Sequence, residues 1–144
     1  MIAHAGLIAA RRGGFWRGVL IEGPAGAGKS DLALRALDQG FSLVADDRVS
    51  LWVSEGALFG RASDVLSGLL EVRSLQVIRV PALRLAQVAL VARCGTPERI
   101  PEPQFADILG VAVPLIAIDP REPSAPAKLS RALSHFDGDL KRRI

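Results

Sequence analysis

GPAGAGKSDLALRALDQGFSLVADD, residues 23–47, decides how this chain folds. A glycine-rich loop leads into apolar residues at helical spacing, Leu32, Ala33, Ala36 and Leu37. Gly40 is placed to stop that helix in the C′ position. A short apolar run over residues 41–45 then ends at Asp46-Asp47. Before the loop, WRGVLIE (residues 16–22) predicts a strand apolar enough to be buried on both faces. The order is strand, loop, helix, strand.

The loop Gly23-Pro24-Ala25-Gly26-Ala27-Gly28-Lys29-Ser30 fits G-x-x-x-x-G-K-[ST] at every fixed position. Glycines permit positive φ and leave no Cβ between backbone and ligand. Successive N–H groups then face phosphate oxygens, and the following helix adds its positive end. Lys29 supplies a mobile charge for the β- and γ-phosphates of ATP, and the Ser30 hydroxyl can ligate Mg²⁺. With this composition, accidental matches are expected on the order of 0.002 times per chain. A ligand-free glycine-rich turn is the competing reading. The strand before and helix after are the context that phosphate binding requires.

Asp46 and Asp47 fall at the end of the next strand, the edge that carries ligand sites in open α/β sheets. Adjacent carboxylates repel unless a cation or proton lies between them. Mg²⁺ held with a nucleotide would relieve this, leaving one aspartate to accept a proton from an attacking hydroxyl. Taken alone, an Asp pair also suits a turn or helix cap. Glu71 is a charge within the apolar run LLEV, which suits a metal or Arg contact or an exposed strand face. His4 lies between alanines in the first strand. It suits a satisfied core histidine, or proton exchange near neutral pH.

The 144 residues suit one domain and leave little room for a second. Of 18 basic residues only Lys29, Lys128 and Lys141 are lysines, which leaves 15 arginines, and the formal net charge is +3. That excess suits phosphate or carboxylate partners, and equally a high-GC genome. Cys94 is the single cysteine, so no internal disulfide forms and a cytoplasmic location is expected. No apolar run approaches the roughly 20 residues of a membrane span, and no signal peptide is visible. Further strands are expected over residues 2–10, 49–53, 57–61, 77–80, 87–92 and 113–118. Residues 11–14 read as a turn, 66–73 are ambiguous, and 95–103 form a proline-rich loop. A helix is expected over 126–136, and Lys141-Arg142-Arg143 reads as a frayed, solvated tail. The fold class is α/β: a P-loop-containing mixed β-sheet with flanking helices, in which hairpins outnumber helices.

LIEGPAGAGKSDLALRALDQGFSLVADDRVSLW, GLLEVRSL at residues 68–75 and the later ERIPEP…LGVAVPLIAIDP together resemble the HPr kinase/phosphorylase catalytic domain of bacteria, over most of residues 1–120. Pairing the loop with V-A-D-D is the specific part. The resemblance implies an ATP-dependent protein serine kinase acting on HPr, the phosphocarrier of the sugar phosphotransferase system. Reverse phosphorolysis accompanies that activity in the family. It implies a fold similar to phosphoenolpyruvate carboxykinase. By motif, Asp46 matches the general base, with His4 beside it, Lys29 the phosphate lysine and Arg73 the arginine after the family glutamate. Ser30, Asp47 and Glu71 match groups around Mg²⁺. The chain reads as a single catalytic domain over 1–144, without the N-terminal domain of longer members. R-S-L-Q at residues 73–76 replaces the family's R-G-L-G, and neither the arginine-bearing flexible loop nor the full C-terminal helical pair is matched. Phosphorolysis and homo-oligomer formation are therefore left open. Two other readings suit the same residues: a P-loop small-molecule kinase or carboxykinase-like enzyme, and a nucleotide-binding regulator. Intact Lys29, Ser30, Asp46 and Glu71 argue against the regulator. A nucleic-acid partner is not expected, since no basic face is rich in aromatics.

Overall fold

The computed structural model describes the backbone of residues 1–143 and the side chains of residues 1–136. The side chains of the expected basic tail, Lys141-Arg142-Arg143, lie outside the described residues. Strands β2 (Ala5–Arg12) and β3 (Phe15–Glu22) form a hairpin closed by Gly13-Gly14 at φ 58° and 82°. Two positive φ values in a two-residue loop match the twist of the flanking strands. Arg11 and Arg12, expected in the turn, belong to β2, because so short a loop pairs Arg12 directly with Phe15.

The strand expected over residues 2–10 is interrupted at His4. Strand β1 (Ile2–Ala3) pairs with β5 (Val49–Ser54), whereas β2 pairs with β3 and β4 (Ser42–Ala45). The change of partners requires the break. β5 and β6 (Ala57–Arg61) form the expected hairpin, turned at Glu55-Gly56. β9 (Ala86–Cys94) runs parallel to β3, and β11 (Val111–Ile118) runs parallel to the end of β9. β10 (Gln104–Ile108), not anticipated from the sequence, folds back on β11 through Leu109-Gly110 at φ 53° and 84°. The main sheet runs β1-β5-β6-β9-β3-β2-β4, with the β10–β11 hairpin joined to β9. β7 (Leu69–Val72) and β8 (Gln76–Arg79) pair apart from it, resolving the ambiguous stretch.

Helix α1 (Lys29–Leu37) follows the glycine loop, and α2 (Ala125–Arg143) closes the chain. Ile8, Val19, Ile21, Leu90 and Ala92 pack with Leu32, Ala36, Leu129 and Leu133 from the helices. Their strand neighbours Leu7, Ala9, Leu20 and Val91 pack on the other face with Val44, Leu51, Leu58 and Val113. Side chains alternate across a strand, so the central strands are apolar on both faces through their middles, at residues 7–10, 19–21 and 88–92. At roughly 25 cal/mol per Å² of apolar surface removed from water, these two clusters are the main force holding the sheet. The parallel strands β3, β9 and β11 end side by side, with Arg93 opposite Glu22 and Cys94 opposite Ile118. The glycine loop leaves from this edge.

Candidate active site

Residues 23–28 leave β3 and turn into α1. A Cβ on Gly23 would lie 2.9 Å from the Cβ of Cys94 on the adjacent strand, so packing alone demands glycine there. Gly26 and Gly28 adopt φ 81° and 108°, and a Cβ on Gly26 would meet open space. The first glycine is thus fixed by the neighbouring strand and the later two by backbone conformation. Gly28 caps α1 without a side-chain hydrogen bond, leaving the first-turn N–H groups without a side-chain acceptor. Lys29 Nζ donates to the carbonyls of Gly23 at 2.6 Å and Pro24 at 3.1 Å, so its charge is held over the loop.

Asp46 follows β4. Its Oδ1 accepts from Ser30 Oγ at 2.8 Å and its Oδ2 from the backbone N–H of Glu71 at 3.1 Å. Asp47 occupies a three-residue turn closed by Arg48 N–H to the Asp46 carbonyl at 2.8 Å, with φ 69° at its centre. Such γ-turns with positive φ are rare and strained, and strain of this kind gathers at functional sites. The Asp47 carbonyl accepts from Ala5 N–H at 3.1 Å. That bond docks the turn against the break in the strand at His4. His4 Nε2 consequently lies 2.6 Å from Asp47 Oδ1. A carboxylate only accepts, so Nε2 carries the proton. Both side chains stay open to solvent, 58% exposed for His4 and 60% for Asp47.

These contacts pair the groups differently from the expectation. The resemblance put His4 beside Asp46 and the metal-side role on Asp47, whereas Ser30 is bonded to Asp46 and His4 to Asp47. The physical reason is the turn: Asp47 is not the next residue of a strand, and its positive φ swings it away from Ser30. Burial raises the Cys94 thiol above its ordinary value, opposed in part by the Lys29 charge. It therefore sits beneath the loop as a packing group, its protonated form favoured by burial.

His4, Gly26, Gly28, Lys29, Ser30, Asp46, Asp47, Glu71 and Arg73 line one cleft of about 480 Å³. The sequence reading missed Asp31, Leu34, Pro120 and Arg121 on its walls. Pro120 and Arg121 follow β11, whose parallel place beside β9 was not legible. A hollow of about 530 Å³ under the β10–β11 hairpin is larger and lined by Leu58, Val88, Phe105 and Phe136, but holds none of the motif residues. The smaller cleft carries the chemistry. Its flexible-φ cradle, lysine and hard oxygen donors of Ser30, Asp46 and Glu71 fit a nucleoside triphosphate with Mg²⁺.

A model of the HPr serine kinase C-terminal domain matches residues 14–88. The chain belongs to the HPr kinase family. Curated relatives named HPr kinase/phosphorylase include one from Leptothrix cholodnii, 39% identical over 117 residues that cover 70% of this chain and 36% of that protein. Another, from Clostridium tetani, is 50% identical over 66 residues, covering 46% of this chain and 22% of that protein. The chain thus matches between 22% and 36% of the length of these two relatives. A solved structure described as the Hpr(Ser) kinase/phosphatase from Coxiella burnetii matches over 100% of this chain and 99% of that chain, with 26% identity and a TM-score of 0.79. The expected mixed α/β fold of the HPr kinase catalytic domain holds. Among the described residues no helix is long and apolar enough to cross a membrane.

Proposed function

We propose that this chain is an ATP-dependent protein serine kinase that phosphorylates HPr, acting through residues 1–144 as one catalytic domain in the cytoplasm. The observation that carries the reading is the convergence, in one cleft, of the glycine loop, the Ser30–Asp46 contact and the His4–Asp47 pair. Residues 23–30 hold the triphosphate through backbone N–H groups, and Lys29 moves from its loop carbonyls onto the β- and γ-phosphates. Ser30, Asp46 and Glu71 would hold Mg²⁺, which when bound offsets the phosphate charge. Asp47 takes the proton of the incoming serine hydroxyl as its oxygen bonds to the γ-phosphorus. The bond from that phosphorus to the β–γ bridging oxygen breaks, and ADP leaves with the electron pair. His4 holds the Asp47 carboxylate in place by its Nε2–H bond, and Arg73 stands at the same cleft to meet phosphoryl charge. The roles of Asp46 and Asp47 are therefore exchanged relative to the motif-based expectation. The exposure of His4 and Asp47 suits a serine presented on a protein surface. A metabolite-sized substrate is normally enclosed more fully.

The test is incubation with ATP, Mg²⁺ and HPr, followed by intact-mass measurement. One phosphate added to HPr, absent when the accepting serine is changed to Ala, supports the reading. ATP consumption with HPr unmodified and a metabolite phosphorylated replaces it with the small-molecule kinase.

A further inference from the structure

Arg35 lies in the last turn of α1, one turn after the cleft-lining Asp31, and is not itself among the lining residues. In sequence it is unremarked: a basic residue near a helix C-terminus, four places after Asp31, where it favours the helix dipole and an i,i+4 pair. Its Nε does donate to Asp31 Oδ2 at 3.0 Å. The rest of the guanidinium leaves the helix. Nη1 donates to the Glu122 carbonyl at 3.1 Å, and Nη2 to the Pro120 carbonyl. Both acceptors are backbone groups of the turn joining β11 to α2.

That turn forms part of the cleft. Pro120 and Arg121 line it beside the glycine loop. The Pro120 ring is seated against the left-handed corner of the loop, where a Cβ on Gly28 would lie 3.6 Å from Pro120 Cγ. The turn has its own weak closures, Arg121 N–H to Asp119 Oδ1 at 3.0 Å and Glu122 N–H to the Asp119 carbonyl at 3.3 Å. Neither ties it to α1. Among the described residues, the Arg35 fork is the hydrogen-bonded link from the helix that begins at Lys29 to the wall that faces Gly28.

We propose that Arg35 is a positioning residue for nucleotide binding: its guanidinium fixes the 120–122 turn so that Pro120 and Arg121 form a set wall against the phosphate loop. This rests on reading the cleft as a phosphate site. A planar fork spans two carbonyls at once, which a lysine ammonium on a flexible stem does not reproduce. An exposed i,i+4 pair by itself contributes little to stability, so the Asp31 contact does not explain the arrangement.

The test compares wild type, Arg35→Ala, Arg35→Lys and Arg12→Ala for affinity toward Mg·ATP and toward pyrophosphate, with hydrogen exchange read over residues 121–125. Arg12→Ala is the control for α2 docking in general, since Arg12 bonds Ser134 Oγ at 2.7 Å and Ser130 Oγ at 2.8 Å on that helix. The expected result is about tenfold weaker binding of both ligands in Arg35→Ala, from losing two backbone hydrogen bonds to a charged donor. Arg35→Lys, chosen also in case the alanine variant fails to fold, stays at least about fivefold weaker. Exchange over 121–125 accelerates in both, and Arg12→Ala binds as wild type. Wild-type affinity in a folded Arg35 variant overturns the positioning role, as does an equal loss in Arg12→Ala. A wild-type chain that binds neither ligand overturns the phosphate reading and the proposal together.

Discussion

Exchanging the roles of Asp46 and Asp47 makes two isosteric substitutions behave differently. Asp47 touches His4 and neither Ser30 nor Lys29. Asp47→Asn keeps its shape and an acceptor for His4 but removes the group that receives the serine proton. General bases contribute roughly 10²- to 10⁴-fold, or about 3–5 kcal/mol of barrier, so kcat should fall by that factor. Mg·ATP affinity should stay within about twofold, since no phosphate-side contact is lost. Asp46 is bonded on both oxygens, to Ser30 Oγ and to Glu71 N–H. An asparagine there can accept from the Glu71 N–H, but its NH₂ then faces Ser30 Oγ, which must turn its hydroxyl away and accept instead of donating. The negative charge beside Ser30 is also lost. A hydrogen bond to a charged group is worth roughly 1.5–3 kcal/mol, so Mg·ATP affinity should fall about 10- to 150-fold and the Mg²⁺ requirement should rise. Initial rates from intact mass of HPr at saturating ATP give kcat, and calorimetry gives affinity. The reasoning is refuted if Asp46→Asn abolishes turnover at unchanged Mg·ATP affinity while Asp47→Asn turns over within tenfold of wild type.

Three further outcomes follow from the same contacts. Lys29→Ala removes the ammonium held over the loop and should weaken Mg·ATP about 10- to 150-fold by calorimetry; unchanged affinity would remove the loop from nucleotide binding. Gly18→Ala places a Cβ 2.8 Å from the Gln87 carbonyl oxygen and 3.0 Å from Leu7 Cδ1, where β3 meets β9. It should cost about 1–3 kcal/mol in urea unfolding, as overpacking does, with the strand pairing intact. The Cys94 thiol, raised by burial, loses its proton later in the folded chain than in the unfolded one. Its contribution is therefore fully present below the ordinary thiol range and is lost as pH rises through it. Stability measured from pH 8 to 10 should fall more steeply in wild type than in Cys94→Ala, and parallel curves would show that burial does not perturb the thiol.

Much of the fold was legible because the strongest local signals and the tertiary contacts agree. The loop and α1 stand where the motif and the 3.6-residue period put them, and Gly40 takes φ 88° just beyond the helix. The Glu55-Gly56 hairpin was readable because glycine relieves a turn with positive φ. Leu109-Gly110 makes the same kind of turn and hid β10, because leucine disfavours the left-handed region and masks the signal. The split at His4 was invisible for another reason. Residues 2–10 are apolar on both sides of His4, and the choice of partner, β5 for one piece and β3 with β4 for the other, breaks them.

The site was legible as a set of residues but not as a set of pairs, and the difference is geometric. Motif spacing says which groups belong together because a strand end and a helix start are each rigid. It says nothing of which neighbour turns inward when the chain leaves regular structure. At Asp46-Asp47 the backbone passes from β4 into a turn with one positive φ, so the alternation of a strand no longer assigns faces. The decisive contact comes from far away: Ala5 N–H holds the Asp47 carbonyl, and that bond exists only because β1 and β2 part at His4. The break in the first strand and the strained turn after β4 are one feature, a hydrogen-bonded meeting of two irregular segments that sets a histidine on a carboxylate. A sheet that remained regular at either place would keep every motif residue and lose the pair. The irregularity is therefore what the sequence pattern hides, and it is where the proposed chemistry resides.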